Sequence, residues 1–166
     1  ADVALIWARA RDGVRGFLVE KGAPGFTALQ MKGKWSLRAS VTSELVLDNV
    51  LVDEEHSLLA GAAGLKGPLS CLNQARYGIA WGALGAADHC YQTALSYALS
   101  RIQFDRPIAG FQLQQRKLTE MVTALTQGQL LALQLGRLKD KGGGVSPAQV
   151  SMAKMNNVRA ALTICR

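Results

Sequence analysis

Acidic residues are scarce in this chain. Its 166 residues include twelve Asp and Glu against nineteen Lys and Arg, a formal charge of +7. That balance favours anionic partners such as phosphates, CoA-like groups, nucleic acid or acidic lipid, or else a basic surface whose counter-charges sit elsewhere. Cysteine and histidine are also few: Cys71, Cys90 and Cys165, with His56 and His89. The cysteines are odd in number, far apart in sequence and form no CxxC pair. A zinc centre and a Cys–His dyad are therefore not expected, and buried thiols in a reducing compartment are. No run of about 18 apolar residues occurs, which argues against a membrane-spanning helix. Aromatic residues are only 6% of the chain, and none forms a stacking platform beside Arg9, Arg11, Arg15, Lys32 or Lys34. A nucleic-acid surface is accordingly not expected. The start, Ala1 to Trp7, has neither a basic run nor a small-residue cleavage site, so no secretory leader is expected there. It also lacks an initiator Met, and the chain is expected to begin inside a longer protein.

What the chain does have is an apolar fraction of 49%, enough to form a core. Residues 1 to about 60 read as strands. Val3 to Ala8 is apolar, Arg11-Asp12-Gly13-Val14 carries the Asp-Gly hairpin signal, and Arg15 to Glu20 returns. Lys21 to Gly25 is a second turn and Phe26 to Met31 resumes an extended pattern. From Glu44 apolar residues fall on both sides, so that strand is expected to be buried on both faces. Short strands with such turns point to a piece of an antiparallel sandwich or barrel. Residues 57 to 68 read as a flexible connector. Thereafter the period becomes helical. A first helix is expected from about Leu69 to Ser100, with Pro68 in its first turn. It is apolar all round, so it needs several neighbours, and Gly78, Gly82 and Gly85 would allow close approach. A second helix runs from about Phe111 to Lys139. A third starts with Ser146 as cap, Pro147 in first position and Gln149 closing a capping box, and continues to Arg166. These helices have too few partners within the chain, so further chain or further subunits are expected.

Generic motifs fail. Gly61-x-x-Gly64-x-x-Gly67 is not the dinucleotide fingerprint, and Gly33-Lys34 is followed by Trp35 rather than Ser or Thr. No HExxH, GxSxG or paired carboxylate cluster occurs. Two longer stretches are informative. One is Gly33-Lys34-Trp35-Ser36-Leu37-Arg38-Ala39-Ser40, followed by Leu47-Asp48-Asn49-Val50-Leu51-Val52. The other is Ser70-Cys71-Leu72-Asn73-Gln74-Ala75-Arg76-Tyr77-Gly78-Ile79-Ala80-Trp81-Gly82, then Ser100-Arg101-Ile102-Gln103-Phe104, and Phe111-Gln112-Leu113-Gln114. Together they resemble the acyl-CoA dehydrogenase family over the whole chain, closest within it to the glutaryl-CoA branch.

The resemblance implies an α+β fragment. Residues 1–60 would be the second half of a middle antiparallel β-domain, and 61–166 the first helices of a C-terminal helical bundle. It implies FAD as cofactor, an acyl-CoA substrate, a homotetramer, and electron-transfer flavoprotein as redox partner. It implies α,β-dehydrogenation, with oxidative decarboxylation of glutaryl-CoA to crotonyl-CoA. Carried over by position, Leu69, Ser70, Asn73 and Arg76 match the acyl-CoA segment, where a guanidinium suits a CoA phosphate. Arg101 matches an FAD-diphosphate arginine, with Gln103 and Phe104 beside it, and Gln112 matches a glutamine contacting FAD across a subunit interface. Phe104 reads equally well as core packing. Trp35, Arg38 and Ser40 match a loop near substrate and flavin, and Tyr77 and Trp81 read as packing. The family's catalytic glutamate lies in a Tyr-Glu-Gly-Thr-like segment expected beyond Arg166; none of Glu20, Glu44, Glu54, Glu55 and Glu120 has that context. The flavin-ring strand is expected ahead of Ala1. This stretch alone is therefore expected to be inactive. The implied compartment is a bacterial cytoplasm or a mitochondrial matrix. The alternative is a non-catalytic helical oligomerisation or interaction module from a truncated paralogue.

Overall fold

A computed structural model describes residues 2–53, 55, 58–59, 61–142 and 144–166. The expectations that involve Glu54, His56, and positions Ser57, Ala60 and Gly143 of the two loops lie outside the described residues. The chain divides into two compact units, Ala1–Ser70 and Cys71–Arg166. The fold is α+β, built of short antiparallel strand pairs and three long helices.

In the first unit, β1 (Val3–Ala10) pairs with β2 (Gly13–Glu20), from Val3↔Glu20 to Ala10↔Gly13. The two-residue turn is Arg11-Asp12, and Gly13 follows it at φ 121°. The glycine is thus used at the exit of the turn, where a side chain would be strained. Arg15 donates to the Asp12 carboxylate across this turn, so one basic residue of the hairpin is paired rather than free. Val19 and Gly16 are buried, and the Trp7 ring lies over Gly16, where a Cβ would sit 2.7 Å from Cζ3. The same ring also occupies the space that a side chain at Gly67 would need. The expected flexible connector is pinned at several points. Leu58 bridges Phe17, the Leu59 amide donates to Gly16 O at 2.9 Å, and the Gly64 amide donates to Val14 O at 2.9 Å.

The second ribbon joins β3 (Phe26–Gln30) to β4 (Ser43–Leu47). Here the structure corrects the sequence reading. The strand stops at Leu47, and Leu45, Val46 and Leu47 are exposed. A two-stranded ribbon with no described layer above it cannot bury both faces, whatever its hydropathy pattern. For the same reason the unit is a set of ribbons rather than a closed sandwich. The loop between β3 and β4 is tied by Lys34, whose ammonium donates to Ser40 O at 2.5 Å and to Thr42 Oγ1 at 2.8 Å.

Helix α1 (Lys66–Ser100) starts three residues before the expected Leu69, still with Pro68 in its first turn. Helix α2 covers Gln112–Asp140 and α3 covers Pro147–Cys165. The capping box is present: the Gln149 amide donates to Ser146 Oγ at 3.3 Å, and the Ser146 amide donates to Gln149 Oε1 at 2.8 Å. In the second unit, Leu84, Ala87, Leu125, Ala132 and Ile164 form the core, with Cys90, Tyr91 and Met121 packed against it. The buried polar residue there is Asn157, whose amide donates to Ala80 O at 3.1 Å and Gly128 O at 3.2 Å.

Close helix approach uses different glycines from those expected. Gly78, Gly82 and Gly85 face open space. Gly128 and Gly136 of α2 make the contact instead, against Leu84 and Asn157, and against the Tyr77 hydroxyl. One face of α1 is covered; elsewhere on the helix Leu72, Ile79 and Leu99 stay exposed. The cysteines also differ from expectation. Cys71 and Cys165 are exposed, Cys90 is half-buried, and Cys90 and Cys165 lie side by side. No helix among the described residues is long and apolar enough to cross a membrane.

Candidate functional site

The chain reverses direction after α1 through a very short hairpin. Strand β5 (Ile102–Gln103) pairs with β6 (Arg106–Pro107), leaving Phe104 and Asp105 as the two turn residues. Both have positive φ, 52° and 63°. Two-residue hairpins of this hand normally use Asn-Gly or Gly-Gly. A phenylalanine in the left-handed region costs roughly 1–2 kcal/mol, and such outliers concentrate at functional sites. The strain is held by bonds on either side. The Arg101 amide donates to Tyr97 O at 2.8 Å, the Ile108 amide donates to Arg101 O at 2.9 Å, and a 3-10 turn (Ile108–Gly110) leads into α2.

The side chains at this corner are exposed. Phe104 retains 86% of its surface, so it is not core. Its ring meets Phe111 edge-on at 6.2 Å, and the Arg106 guanidinium lies 4.1 Å from the centre of the Phe111 ring. Arg101, Gln103 and Gln112 are exposed beside them along the chain. Helix α2 begins at Gln112 with Phe111 as its cap, a residue whose side chain cannot accept from the helix amides, and its first turn contains no acid. Two arginines, an uncapped helix start and an aromatic pair therefore share one corner, a setting that receives an anion. Arg101, Gln103, Phe104 and Gln112 are the residues that the resemblance singles out, and the structure sets them along this corner. Arg106 and Phe111 as a stacked pair are not among them, although a cation five residues before an aromatic, across a tight turn, was a usable signal.

A second cluster lies in the early turns of α1. Arg76 Nη1 donates to Asn73 Oδ1 at 3.4 Å, and both residues are half-buried. Leu69 and Ser70 belong to the helix's opening turns, where Ser70 Oγ donates to Gly67 O at 2.6 Å. Tyr77 donates to Ala132 O at 3.1 Å, which fits its reading as packing. Trp81 is only partly covered. Lys139 was missed from the sequence. Its ammonium sits 4.5 Å over the Tyr77 ring and donates to Gln74 Oε1 at 2.6 Å, beside the turn that carries Arg76. Nothing local announces a partner so distant along the chain; helix packing alone brings this second cation to Arg76's end of α1.

From Arg76 to the end of α1 the axis rises about 36 Å at 1.5 Å per residue. The two clusters therefore do not share one pocket within this chain. Trp35 is fully exposed at 102% and is no core residue, although its large apolar ring alone would favour burial. Near it, the Ser40 amide donates to Leu37 O at 3.0 Å. Among the described residues no group of three or more His, Cys, Asp or Glu could hold a metal.

The chain is similar to known proteins in sequence and in fold. A family model for the acyl-CoA dehydrogenase C-terminal domain matches residues 62–166. An acyl-CoA dehydrogenase of Bacillus subtilis is 36% identical over 159 residues, which is 93% of this chain and 42% of that protein. A crystal structure of glutaryl-CoA dehydrogenase from Mycobacterium smegmatis superposes with a TM-score of 0.93 at 58% identity, covering 99% of this chain and 42% of that one. A structure of a glutaryl-CoA dehydrogenase from the same organism in complex with FADH2 gives 0.94 at 54% identity, with the same coverage. The chain thus spans about two fifths of the length of these relatives.

Proposed function

The chain belongs to the acyl-CoA dehydrogenase family, and from that premise we propose that it forms part of an FAD-dependent dehydrogenase acting on glutaryl-CoA. Enzymes of this family are oxidoreductases. The observation that carries the reading is the strained hairpin. It presents Arg101 and Arg106 beside Phe104 and Phe111 at an uncapped helix start.

That corner fits the diphosphate of FAD. Arg101 and Arg106 neutralise its charge, the first amides of α2 donate to it, and Gln103 and Gln112 offer carboxamides to neighbouring oxygens. Bound FAD supplies the hydride acceptor for α,β-dehydrogenation. At the other end of α1, Arg76 and Lys139 provide two cations for a CoA phosphate, with Asn73 orienting Arg76, and Leu69 and Ser70 in the same acyl-CoA segment. The general base that removes the α-proton comes from outside this stretch, so the 166 residues alone turn over no substrate. Residues 1–60 serve as part of the middle β-domain and 61–166 as part of the C-terminal helical domain. The exposed apolar face of α1 is covered in a homotetramer, and electrons leave to electron-transfer flavoprotein. The compartment is a bacterial cytoplasm or a mitochondrial matrix.

The test is an absorbance spectrum of the purified protein that carries this stretch, followed by anaerobic titration with glutaryl-CoA. A flavin band that bleaches, with release of carbon dioxide, is the expected result. A protein without a flavin band would overturn the cofactor reading. A band untouched by glutaryl-CoA would overturn the substrate reading.

A second reading, a non-catalytic helical oligomerisation module, rests on the same exposed apolar residues, Leu72, Ile79 and Leu99. It requires assembly without any flavin, so the first spectrum separates the two.

A further inference from the structure

Cys90 lies in the later half of α1 and Cys165 is the last residue of α3. They are 75 positions apart in sequence, yet Cys165 Sγ donates to Cys90 Sγ at 3.5 Å. Cys90 packs against the helical core, and Ile164, a core residue, precedes Cys165. The core thus holds one sulfur in place, while the other is exposed. A disulfide has its sulfurs about 2.05 Å apart, so closure needs a movement of roughly 1.5 Å. A change of χ1 at either cysteine moves its sulfur on that scale. The third thiol, Cys71, is exposed near the start of α1, four turns and more from Cys90 along the helix.

We propose that Cys90 and Cys165 form a redox modification site, a thiol pair that a hydroperoxide oxidises to an intramolecular disulfide joining α1 to α3. The exposed Cys165 thiolate attacks a peroxide oxygen. An S–O bond forms, the O–O bond breaks, and the departing hydroxide or alkoxide takes up a proton. Cys90, having lost its proton to solvent, then attacks the sulfenic sulfur. The S–S bond forms, the S–O bond breaks, and hydroxide leaves as water. Two thiols give up two electrons, and one peroxide is reduced by two.

The reaction is slow at neutral pH. Its hydrogen bond to Cys90 comes first, and partial burial second, in holding the Cys165 thiol above the ordinary value, so little thiolate is present. The pair therefore records sustained peroxide rather than brief pulses. Once formed, the bond encloses the strained hairpin and all of α2 within one covalent loop. It ties Cys165 of α3 to the second half of α1.

The purified protein that carries this stretch is treated with hydrogen peroxide, quenched, and alkylated without reduction. The expected result is loss of two of this stretch's three thiols, and a digest peptide joining Cys90 to Cys165 whose mass is about 2 Da below the sum of its two parts. Cys71→Ser retains the joined peptide, and Cys90→Ser and Cys165→Ser each abolish it. Three thiols surviving the treatment would overturn the proposal. So would a bridge that uses Cys71, or one that forms only between two copies of the chain.

Discussion

Asn157 is a polar group placed among apolar neighbours from all three long helices. Its amide reaches carbonyls of α1 and α2, and its oxygen accepts from Asn156 at 3.1 Å. Satisfied in this way, it sets one register for the three helices instead of a range of slips. Asn157→Ala removes both interhelix bonds and leaves a void. Stability should fall by about 2 kcal/mol, read as a lower urea midpoint. Asp12 illustrates the opposite extreme, an ion pair at the surface with Arg15. Its bond from Arg15 holds its carboxyl below the usual carboxylate range. A lowered folded-state value means the contribution is present above the unfolded value and lost as pH falls through the folded one. The β1–β2 turn should therefore loosen in acid. Carboxyl-carbon NMR should show Asp12 titrating low, and Arg15→Ala should return its midpoint to the ordinary range.

At the level of elements, glycine has two different roles in the helices. A Cβ at Gly128 would lie 2.7 Å from Leu84 Cδ2 and 3.0 Å from Asn157 Oδ1. Gly128→Ala should cost roughly 1–3 kcal/mol by overpacking. At Gly82 a Cβ meets nothing within 4 Å. Gly82→Ala in the isolated chain should gain up to about 1 kcal/mol, since alanine is the better helix former. Paired urea melts of the two variants would show opposite shifts; a loss at Gly82 would mean that another element packs there. The sequence marked Gly78, Gly82 and Gly85 as contact points because small residues cluster there. It could not reveal that α2 approaches another face, since that depends on which residues of two distant segments interlock.

For the molecule as a whole, the two arginine clusters at opposite ends of α1 make separable predictions. In the complete protein, Arg101→Ala should weaken FAD retention by about 10- to 100-fold, the worth of a charge-assisted bond to phosphate. Flavin content after purification measures it, and an unchanged content would remove Arg101 from the site. Arg76→Ala should raise the acyl-CoA KM by a similar factor with the flavin spectrum unaltered. Lys139→Ala should act in the same direction as Arg76→Ala, because both cations stand at the same end of the helix.

Local chemistry was readable from residue order. The Ser146 cap with Gln149, Pro68 in a first helical turn, the turn at Arg11 to Gly13, and the helical span ending at Ser100 each depend on neighbours within a few positions. The exposed cluster from Arg101 to Gln112 was singled out only through the family resemblance, and one tight turn sets it along a single corner. Long-range consequences were not readable. Burial of the strand after Glu44 depends on a covering layer, and none is described over it. The meeting of Lys139 with Tyr77, and of Cys165 with Cys90, follows from how three helices pack. Hydropathy and spacing report what a segment prefers; only packing in three dimensions determines which distant segment satisfies that preference.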